Sequence, residues 1–356
     1  MLFDIEADTG DEIVGYLVPD GYEEVPRLCL VAGGRALWSG AASEPRAALV
    51  AAGRHRTGLC GFRIGRGEVP DLREYPDAEL RDLATGLTIY RRRRAARPRR
   101  NRVFRLETRL KPLRALDAAM EPHFQAWFPG VERYGAETVE QVLLLSGAAT
   151  VYASGRVQLG SHAALMESEA AVLVQLRDPY AELAERIALF SGSLGPPARW
   201  LAPRERQTYA AAIEAFDGID PQSPRALRRA FRRLGPEAAD ALCNPLARQL
   251  TAASPGEACP PNAVASALRA LSGASLVVPS EPGGLFEAMA GAALGTRIAS
   301  GLGAGEAPRI AEIAATLEGI GLAEAILEAD LEIYGSVSDV YDGIARAGTE
   351  GLAPSL

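Results

Sequence analysis

Residues 170–190 constrain the fold of this chain more than any other stretch of its sequence. The run at 171–176 is almost wholly apolar, which is typical of a strand buried on both faces of a sheet. The Arg-Asp-Pro triplet at 177–179 ends that run, because proline cannot donate to a strand ladder and suits the first turn of a helix. The pattern therefore predicts that Arg177 lies at the carboxyl edge of a sheet, where open α/β sheets bind ligands.

The residues after Pro179 have the periodicity of an amphipathic helix. Its apolar positions recur at helical spacing: Leu183, Ile187 and Phe190. Its charged positions are expected on the other faces: Glu182, Glu185 and Arg186.

Similar patterns recur along the rest of the chain. Residues 141–145 and 275–279 are predicted to be further buried strands. Helices are predicted to begin after Ser223 and Asn262, both of which are residue types that cap helices. Because strands and helices alternate, the sequence predicts an α/β fold with a small, largely parallel sheet and many surrounding helices.

The N-terminal residues have a different pattern, with short strands separated by turn signals. Strands are predicted at 13–18, 28–31 and 58–64, and no helix between them is long enough to cover a parallel sheet. This pattern favours a small β-sandwich. We therefore predict two domains, a β-sandwich module at residues 1–95 and an α/β domain at residues 96–356.

Composition limits the class of protein. Hydrophobic residues make up 48% of the 356, yet no stretch approaches 18 uninterrupted apolar residues, so no transmembrane segment is predicted. The acidic N-terminus lacks the apolar core of a signal peptide. The four cysteines are far apart and form no CxxC pair, which favours reduced thiols in the cytoplasm over disulfides or a metal site.

Positive charge is concentrated in one segment, although the formal net charge of the chain is −7. Eight arginines lie within residues 91–102 without an acidic residue among them. One interpretation is a solvated linker that folds against acidic neighbours. The other is a surface for an anionic partner. Lys111 is the only lysine, and this arginine bias with abundant Ala, Gly and Pro is typical of a GC-rich bacterial genome.

The N-terminal segment resembles the β-sandwich modules at the front of some bacterial polysaccharide-modifying and glycosyl-transferring enzymes. The resemblance rests on Gly-Tyr-Leu-Val-Pro-Asp at 15–20, His-Arg-Thr-Gly at 55–58 before Gly61-Phe62, and Thr-Gly-Leu-Thr-Ile-Tyr-Arg at 85–91. This resemblance and the arginine-rich segment together favour a polysaccharide or another anionic polymer as a partner, with nucleic acid disfavoured.

The larger segment resembles the PAPS-dependent sulfotransferases. The order of strand, Arg-Asp-Pro and helix at 171–190 is similar to the segment that holds the 3′-phosphate of the activated-sulfate nucleotide PAPS. Residues 143–150 (Leu-Leu-Leu-Ser-Gly-Ala-Ala-Thr) are similar to the phosphosulfate loop of that family. Residues 276–288 and 330–334 are similar to a late strand with its helix and to the closing helix. The resemblance spans residues 138–335.

The resemblance implies a site for PAPS or adenosine 3′,5′-bisphosphate. The implied cofactor-binding residues are Ser146, Gly147, Thr150, Arg156 and Arg177. It also implies His162 as the base that takes a proton from an acceptor hydroxyl, against the alternative of an exposed loop histidine. Arg156 could join Arg177 at one anion site or form a salt bridge with an acidic residue.

Two positions depart from the sulfotransferase pattern. Ser146 stands where the family carries a basic residue, and Glu185 stands where a serine binds the 3′-phosphate. Because a carboxylate repels a phosphate, we predict that Glu185 forms an ion pair instead, with Arg177 or Arg156 as its partner.

Two functions from different classes follow from these observations. The first is a divergent or catalytically lost sulfotransferase-like protein that acts on, or associates with, cell-surface polysaccharide. The second is a non-enzymatic binding or assembly protein that holds an anionic polymer or a protein partner through the sandwich and the arginine-rich segment. The motifs of zinc peptidases, α/β-hydrolases and P-loop nucleoside triphosphatases are absent from the sequence, and no metal ligand set is predicted.

Overall fold

The computed structural model describes residues 1–92, 101–145, 147–162, 169–280, 284–302 and 307–350, with the backbone alone at 136 and 343–350. The chain divides into two compact units. The first unit comprises Met1–Phe104, Asp117–Ser154 and Ala293–Thr296, and the second comprises Arg105–Leu116, Gly155–Ala292 and Arg297–Leu356. The predicted boundary between residues 95 and 96 lies outside the described residues, so it stays a prediction.

Two four-stranded antiparallel sheets form the N-terminal part of the first unit, in the strand orders β1-β2-β6-β5 and β4-β3-β7-β8. The strands are β1 (Leu2–Asp8), β2 (Ile13–Val18), β3 (Arg27–Ala32), β4 (Arg35–Ala41), β5 (Glu44–Pro45), β6 (Leu59–Ile64), β7 (Glu79–Asp82) and β8 (Thr88–Arg91). Phe3 and Phe62 of one sheet, and Leu30 and Leu80 of the other, are fully or almost fully buried. These sheets confirm the predicted N-terminal β-sandwich.

A five-stranded parallel sheet has the order β10-β11-β9-β12-β13. Its strands are β9 (Arg102–Leu106), β10 (Ala126–Pro129), β11 (Val151–Gly155), β12 (Ala171–Leu176) and β13 (Leu276–Pro279). All residues of β12 except Gln175 are buried, as expected for a strand covered on both faces. The predicted α/β fold with a parallel sheet and many helices is confirmed.

The described helices are α1 (Ala47–Ala51), α2 (Arg114–Met120), α3 (Ala136–Leu144), α4 (Pro179–Phe190), α5 (Pro203–Thr208), α6 (Ala210–Phe216), α7 (Pro224–Arg233), α8 (Pro236–Leu242), α9 (Pro245–Thr251), α10 (Ala263–Ser272), α11 (Leu285–Leu294), α12 (Pro308–Glu318) and α13 (Gly321–Glu350). Short 3-10 turns lie at Leu72–Glu74, Glu121–His123, Val131–Arg133 and Pro197–Arg199. In the part of the chain that the structure describes, no helix combines the length and the apolar character needed to cross a membrane.

The predicted strand at residues 141–145 is wrong, because these residues belong mainly to helix α3. Val139, Val142 and Leu143 are buried, whereas Leu144 is 73% exposed. That is the spacing of a helix with one buried face, and a strand covered on both faces would bury every position. The short apolar run was ambiguous because it is compatible with either element.

The charged faces of helix α4 are buried as well as its apolar face. Glu182, Glu185 and Arg186 are 7%, 3% and 3% exposed. Helices α6, α12 and α13 all pack against α4, so it lies inside the second unit. Leu183, Ile187 and Phe190 join the hydrophobic core of that unit, as their spacing predicted.

Candidate functional site

Arg177 lies where the sequence predicted it, at the carboxyl end of β12 and immediately before α4. Asp178 is the N-cap residue of α4, and its side chain accepts a hydrogen bond of 2.9 Å from the backbone N–H of Ala181. Pro179 fills the first helical position, where its missing N–H is not needed. The triplet therefore ends the strand, starts the helix and fixes the backbone of Arg177.

The guanidinium group of Arg177 is bound by two carboxylates of the helix that follows it. Its Nη1 lies 2.6 Å from Oε2 of Glu185 and 3.2 Å from Oε2 of Glu182. Arg177 is 5% exposed, so both ion pairs are almost completely removed from water. The prediction that Glu185 pairs with an internal arginine is confirmed, and Arg177 is one such partner.

A second arginine binds the same carboxylate, and the sequence analysis missed it. Nη2 of Arg109 lies 3.2 Å from both carboxylate oxygens of Glu185. The backbone N–H of Leu110 donates a hydrogen bond of 2.9 Å to Oε1 of Glu182. Arg109 precedes Glu185 by 76 residues, so no local sequence pattern indicates this contact.

Arg186 completes this group of charges. Its Nε lies 2.8 Å from Oε1 of Glu182, and its Nη1 donates to the hydroxyl of Tyr209 at 3.2 Å. The spacing of Glu182 and Arg186, four residues apart on one helix, was the available sequence signal for this pair. We call Arg109, Arg177, Glu182, Glu185 and Arg186 the buried ion cluster.

The electrostatics of the buried ion cluster favour its charged form. Burial would raise the pKa of Glu182, but the guanidinium groups of Arg186, Arg177 and Arg109 outweigh burial and lower it. Burial would likewise lower the pKa of Arg186, but Tyr209 and Glu182 raise it. Glu182 and Arg186 therefore stabilise each other in the ionised state.

A cleft beside the cluster has a volume of about 10 Å³, which is room for about one water molecule. It is lined in part by Arg177, Thr108 and Asp330. The carboxylate of Asp330 accepts hydrogen bonds of 2.9 and 2.8 Å from the backbone N–H groups of Leu246 and Ala247. Burial raises the pKa of Asp330 to about 6, although those two bonds oppose the shift. This cleft is too small for a nucleotide.

Arg156 belongs to the second unit but has a different acidic partner. Its Nε and Nη2 lie 2.7 and 2.6 Å from Oε1 of Glu205, and its Nη1 donates to the carbonyl of Leu110 at 3.0 Å. Of the two alternatives for Arg156, the structure contains the salt bridge with an acid.

His162 is a buried residue of the second unit. It is 7% exposed, which excludes the exposed loop histidine of the sequence analysis. Its Nδ1 lies 3.0 Å from the carbonyl oxygen of Gln158 and 2.9 Å from the hydroxyl of Ser161. Its Nε2 has no hydrogen-bond partner among the described residues, which resume at residue 169.

The predicted phosphosulfate loop belongs to the first unit. Ser146 lies outside the described residues. Gly147 and Thr150 follow helix α3 and precede β11, so they lie at the amino end of that strand, whereas open α/β sheets bind ligands at carboxyl ends. The hydroxyl of Thr150 accepts a hydrogen bond of 2.9 Å from the backbone N–H of Gln125.

Gly147 also lines an open groove of about 770 Å³ in the first unit. The polar wall of this groove is an internal ion pair, in which Asp8 lies 2.8 Å from Nε of Arg92 and 2.5 Å from the hydroxyl of Tyr90. Burial would raise the pKa of Asp8, but the hydrogen bonds from Arg92 and Tyr90 outweigh it and lower the pKa.

Three arginines of the arginine-rich segment (residues 91–102) form ion pairs or hydrogen bonds inside the first unit. Arg91 lies 2.9 Å from Glu79 and 2.7 Å from Glu121. Arg92 pairs with Asp8, and Arg102 donates to the carbonyl of Leu145 at 2.7 Å. The other five arginines of this segment lie outside the described residues: Arg93, Arg94, Arg97, Arg99 and Arg100.

The fold and the cluster together define an α/β protein with N-terminal antiparallel sheets and a charged network at the carboxyl end of β12. Comparison with known proteins found no match among family models, curated proteins or solved structures.

Proposed function

We propose that this protein is a non-enzymatic binding or assembly protein that holds an anionic polymer, with cell-surface polysaccharide as the class of partner. In this proposal the second unit is a catalytically lost relative of the sulfotransferases. The observation that carries the proposal is the distance of 2.6 Å between Nη1 of Arg177 and Oε2 of Glu185, both of them buried.

That ion pair opposes nucleotide binding in two ways. A 3′-phosphate at Arg177 would have to displace the carboxylates of Glu185 and Glu182 from the same guanidinium group. It would also meet those carboxylates at close range. Like charges 4 Å apart repel by about 4 kcal/mol at an effective dielectric constant of about 20, which corresponds to about a thousandfold in affinity.

The anionic partner is supported by arginines that remain exposed outside the cluster, five of them on α7. The cytoplasmic location that belongs to this proposal is supported by the cysteines, all four of which are free thiols. The sulfotransferase ancestry rests on the sequence resemblance at residues 171–190.

Binding of adenosine 3′,5′-bisphosphate tests the proposal. A ligand that binds only the folded state raises the melting temperature of a protein. The folded wild type is expected not to bind the nucleotide, so we expect its melting temperature to stay unchanged at millimolar nucleotide. We expect Glu185→Ser, which removes one of the two carboxylates that bind Arg177, to show a small nucleotide-dependent increase in melting temperature at most, because Glu182 still pairs with the same guanidinium group. Glu185→Gln is the matched control, since it removes the same charge without supplying the hydroxyl.

A different result would restore the enzyme. If the wild type binds the nucleotide in calorimetry, and Arg177→Ala abolishes that binding, then Arg177 is a functional phosphate ligand and the proposed function is wrong.

A further inference from the structure

Helix α7 (Pro224–Arg233) carries its charge on one continuous face. Its arginines are Arg225, Arg228, Arg229, Arg232 and Arg233, and all five are exposed. At about 100° per residue they fall within an arc of about 140°, along about 12 Å of helix. We call these five residues the arginine face.

The opposite side of α7 anchors the helix to the second unit. Leu227 and Phe231 are 0% and 2% exposed and belong to the hydrophobic core of that unit. The ring of Phe231 packs edge-on against Phe216, with 5.7 Å between the centroids. Ser223 caps the first turn by accepting a hydrogen bond from the backbone N–H of Ala226. The arginine face is therefore held on a packed, capped helix.

No carboxylate of the described chain forms an ion pair with the arginine face. The carboxylate of Glu312, on the neighbouring helix α12, is contacted instead by the side-chain amide of Gln222 at 3.4 Å. Nη2 of Arg228 lies near Gly319, just beyond the end of α12, where a helix dipole favours a cation. The arginine face thus differs from the arginines of the buried ion cluster, which are paired with carboxylates.

This arrangement is unfavourable for the isolated protein. Arg225 and Arg229, Arg228 and Arg232, and Arg229 and Arg233 are each four residues apart, and like charges at that spacing destabilise a helix. The chain as a whole is acidic, with a net charge of −7, so acidic residues were available to neutralise these positions. A bound polyanion would relieve the repulsion.

We propose that the arginine face is the surface that binds an acidic polysaccharide. This inference rests on the proposed function, for which it names the site. A guanidinium group presents a planar fork of N–H donors that matches a carboxylate or a sulfate, and such groups recur along an acidic polysaccharide. Five forks on one helix allow several contacts with one chain of the polymer.

The arginine face lacks the exposed aromatic side chains on which the bases of single-stranded nucleic acid stack. Recognition of unpaired bases depends on aromatic side chains for stacking, and α7 has only Phe231, which is buried in the core.

The test measures binding of fluorescein-labelled heparin and alginate by anisotropy at low salt. The test variant is Arg225→Gln/Arg229→Gln/Arg232→Gln in the full chain. The matched control is Arg204→Gln/Arg206→Gln/Arg269→Gln, which removes the same charge from three other exposed arginines of the second unit. We expect the test variant to lose at least about tenfold in affinity and the control to lose much less, because charged hydrogen bonds are lost only in the former. The salt dependence of the affinity should also weaken in the test variant.

A second variant covers a failure of the first to fold. Arg225→Lys/Arg229→Lys/Arg232→Lys keeps the positive charge but removes the planar forks of N–H donors. Its affinity for the polysaccharides should be lower than that of the wild type and of the control, and higher than that of the arginine-face Gln variant.

Four results would overturn the inference. If both triple Gln variants lose the same affinity, binding depends on net charge alone. If the wild type and the arginine-face variant bind heparin equally, the proposed function stands and its site lies elsewhere. If the wild type binds a fluorescein-labelled single-stranded DNA oligonucleotide more tightly than either polysaccharide in the same assay, and the arginine-face variant loses that binding, the occupant is a nucleic acid. Failure of the wild type to bind either polysaccharide would contradict this inference and the polymer part of the proposed function together, whereas the nucleotide test concerns Arg177 alone.

Discussion

At the scale of single residues, Glu185 separates the two functional hypotheses. Its carboxylate lies 2.6 Å from Arg177 and 3.2 Å from Arg109, in a region that water hardly reaches. A serine at this position would leave N–H donors of the Arg177 guanidinium group available to a phosphate. The carboxylate of Glu185 binds those donors instead, and it has the same sign of charge as a phosphate. Glu185 and Glu182 together therefore hold Arg177 in the internal structure of the second unit.

The buried ion pairs predict a large effect of neutralising Glu185. Glu185→Gln leaves Arg109 and Arg177 buried with less compensation, and breaking a buried pair costs about 3–5 kcal/mol. Asp240→Asn is the matched control, since Asp240 also pairs with an arginine of the second unit, Arg248 at 2.9 Å, but its side chain is 63% exposed. We expect the control to cost less than about 1 kcal/mol. Urea denaturation of the three proteins measures the difference, and equal midpoints for the two variants would contradict it.

Asp330 predicts a specific pH dependence of stability. Its pKa is raised from 3.8 to about 6 in the folded protein, chiefly by burial and against the attraction of Arg186. The folded state therefore holds this proton more tightly than the unfolded state between about pH 4 and pH 6. The stabilisation is complete below about pH 4 and is lost as the pH rises through 6, a change on the order of 3 kcal/mol.

Asp330→Asn cannot titrate, so it isolates this contribution. The free energy of unfolding of the wild type minus that of the variant should fall as the pH rises from 4 to 6.5. The variant also loses one of the two acceptor oxygens that bind Leu246 and Ala247, which adds an offset without changing that slope. A difference that stays constant over this pH range would show that Asp330 titrates normally.

At the scale of secondary-structure elements, local chemistry explains where helices start. Asp178 and Ser223 both precede a proline and both accept a hydrogen bond from the third residue after them. Asn262 has the same type of side chain and precedes helix α10, but it forms no side-chain capping bond. A capping residue type predicted the starts of α7 and α10, and Pro179 predicted the start of α4, whereas only Asp178 and Ser223 form the capping contact.

This difference predicts unequal effects of removing the side chains. Asp178→Ala should destabilise the protein by about 1 kcal/mol, because the N–H of Ala181 loses its acceptor. Asn262→Ala should cost only a few tenths of that, since no capping bond is lost. Thermal melts of both variants check this, and a larger loss for Asn262→Ala would contradict the assignment of the caps.

At the scale of the whole molecule, the first unit is assembled from distant parts of the chain. The N-terminal amino group donates to the hydroxyl of Thr138 at 2.9 Å, and the side-chain amide of Gln141 donates to the carbonyl of Phe3 at 2.9 Å. Arg91 pairs with Glu121 in the same unit. The N-terminal sheets therefore share one unit with residues 117–154, which lie beyond the arginine-rich segment.

That assembly predicts the behaviour of a cleaved chain. If a site for a specific protease is inserted between Ala95 and Ala96 and cut, the two fragments should elute together in gel filtration, because contacts inside the first unit join them. They should separate only in denaturant, and the uncut protein serves as the control. Separation of two folded fragments in native buffer would instead support independent domains at 1–95 and 96–356.

The amino-acid sequence by itself determined the elements whose formation depends on near neighbours. Strand β12, the Arg-Asp-Pro triplet and helix α4 were predicted because burial, a proline and helical spacing all act within a few residues. The antiparallel sheets were predicted for the same reason. The error at residues 141–145 arose where an apolar run was too short to distinguish a strand from a helix.

Tertiary structure alone decided the environment of the charges. Glu182, Glu185 and Arg186 were expected on the faces of α4 away from its apolar stripe. All three are buried because Arg109, 76 residues away from Glu185, and the helices packed around α4 enclose them. A charged side chain is buried only where partners compensate for its lost hydration, and those partners come from distant parts of the chain. The sequence did predict the pair of Glu185 with Arg177, but no local pattern indicated Arg109, so the burial of the whole cluster could be determined only from the folded protein.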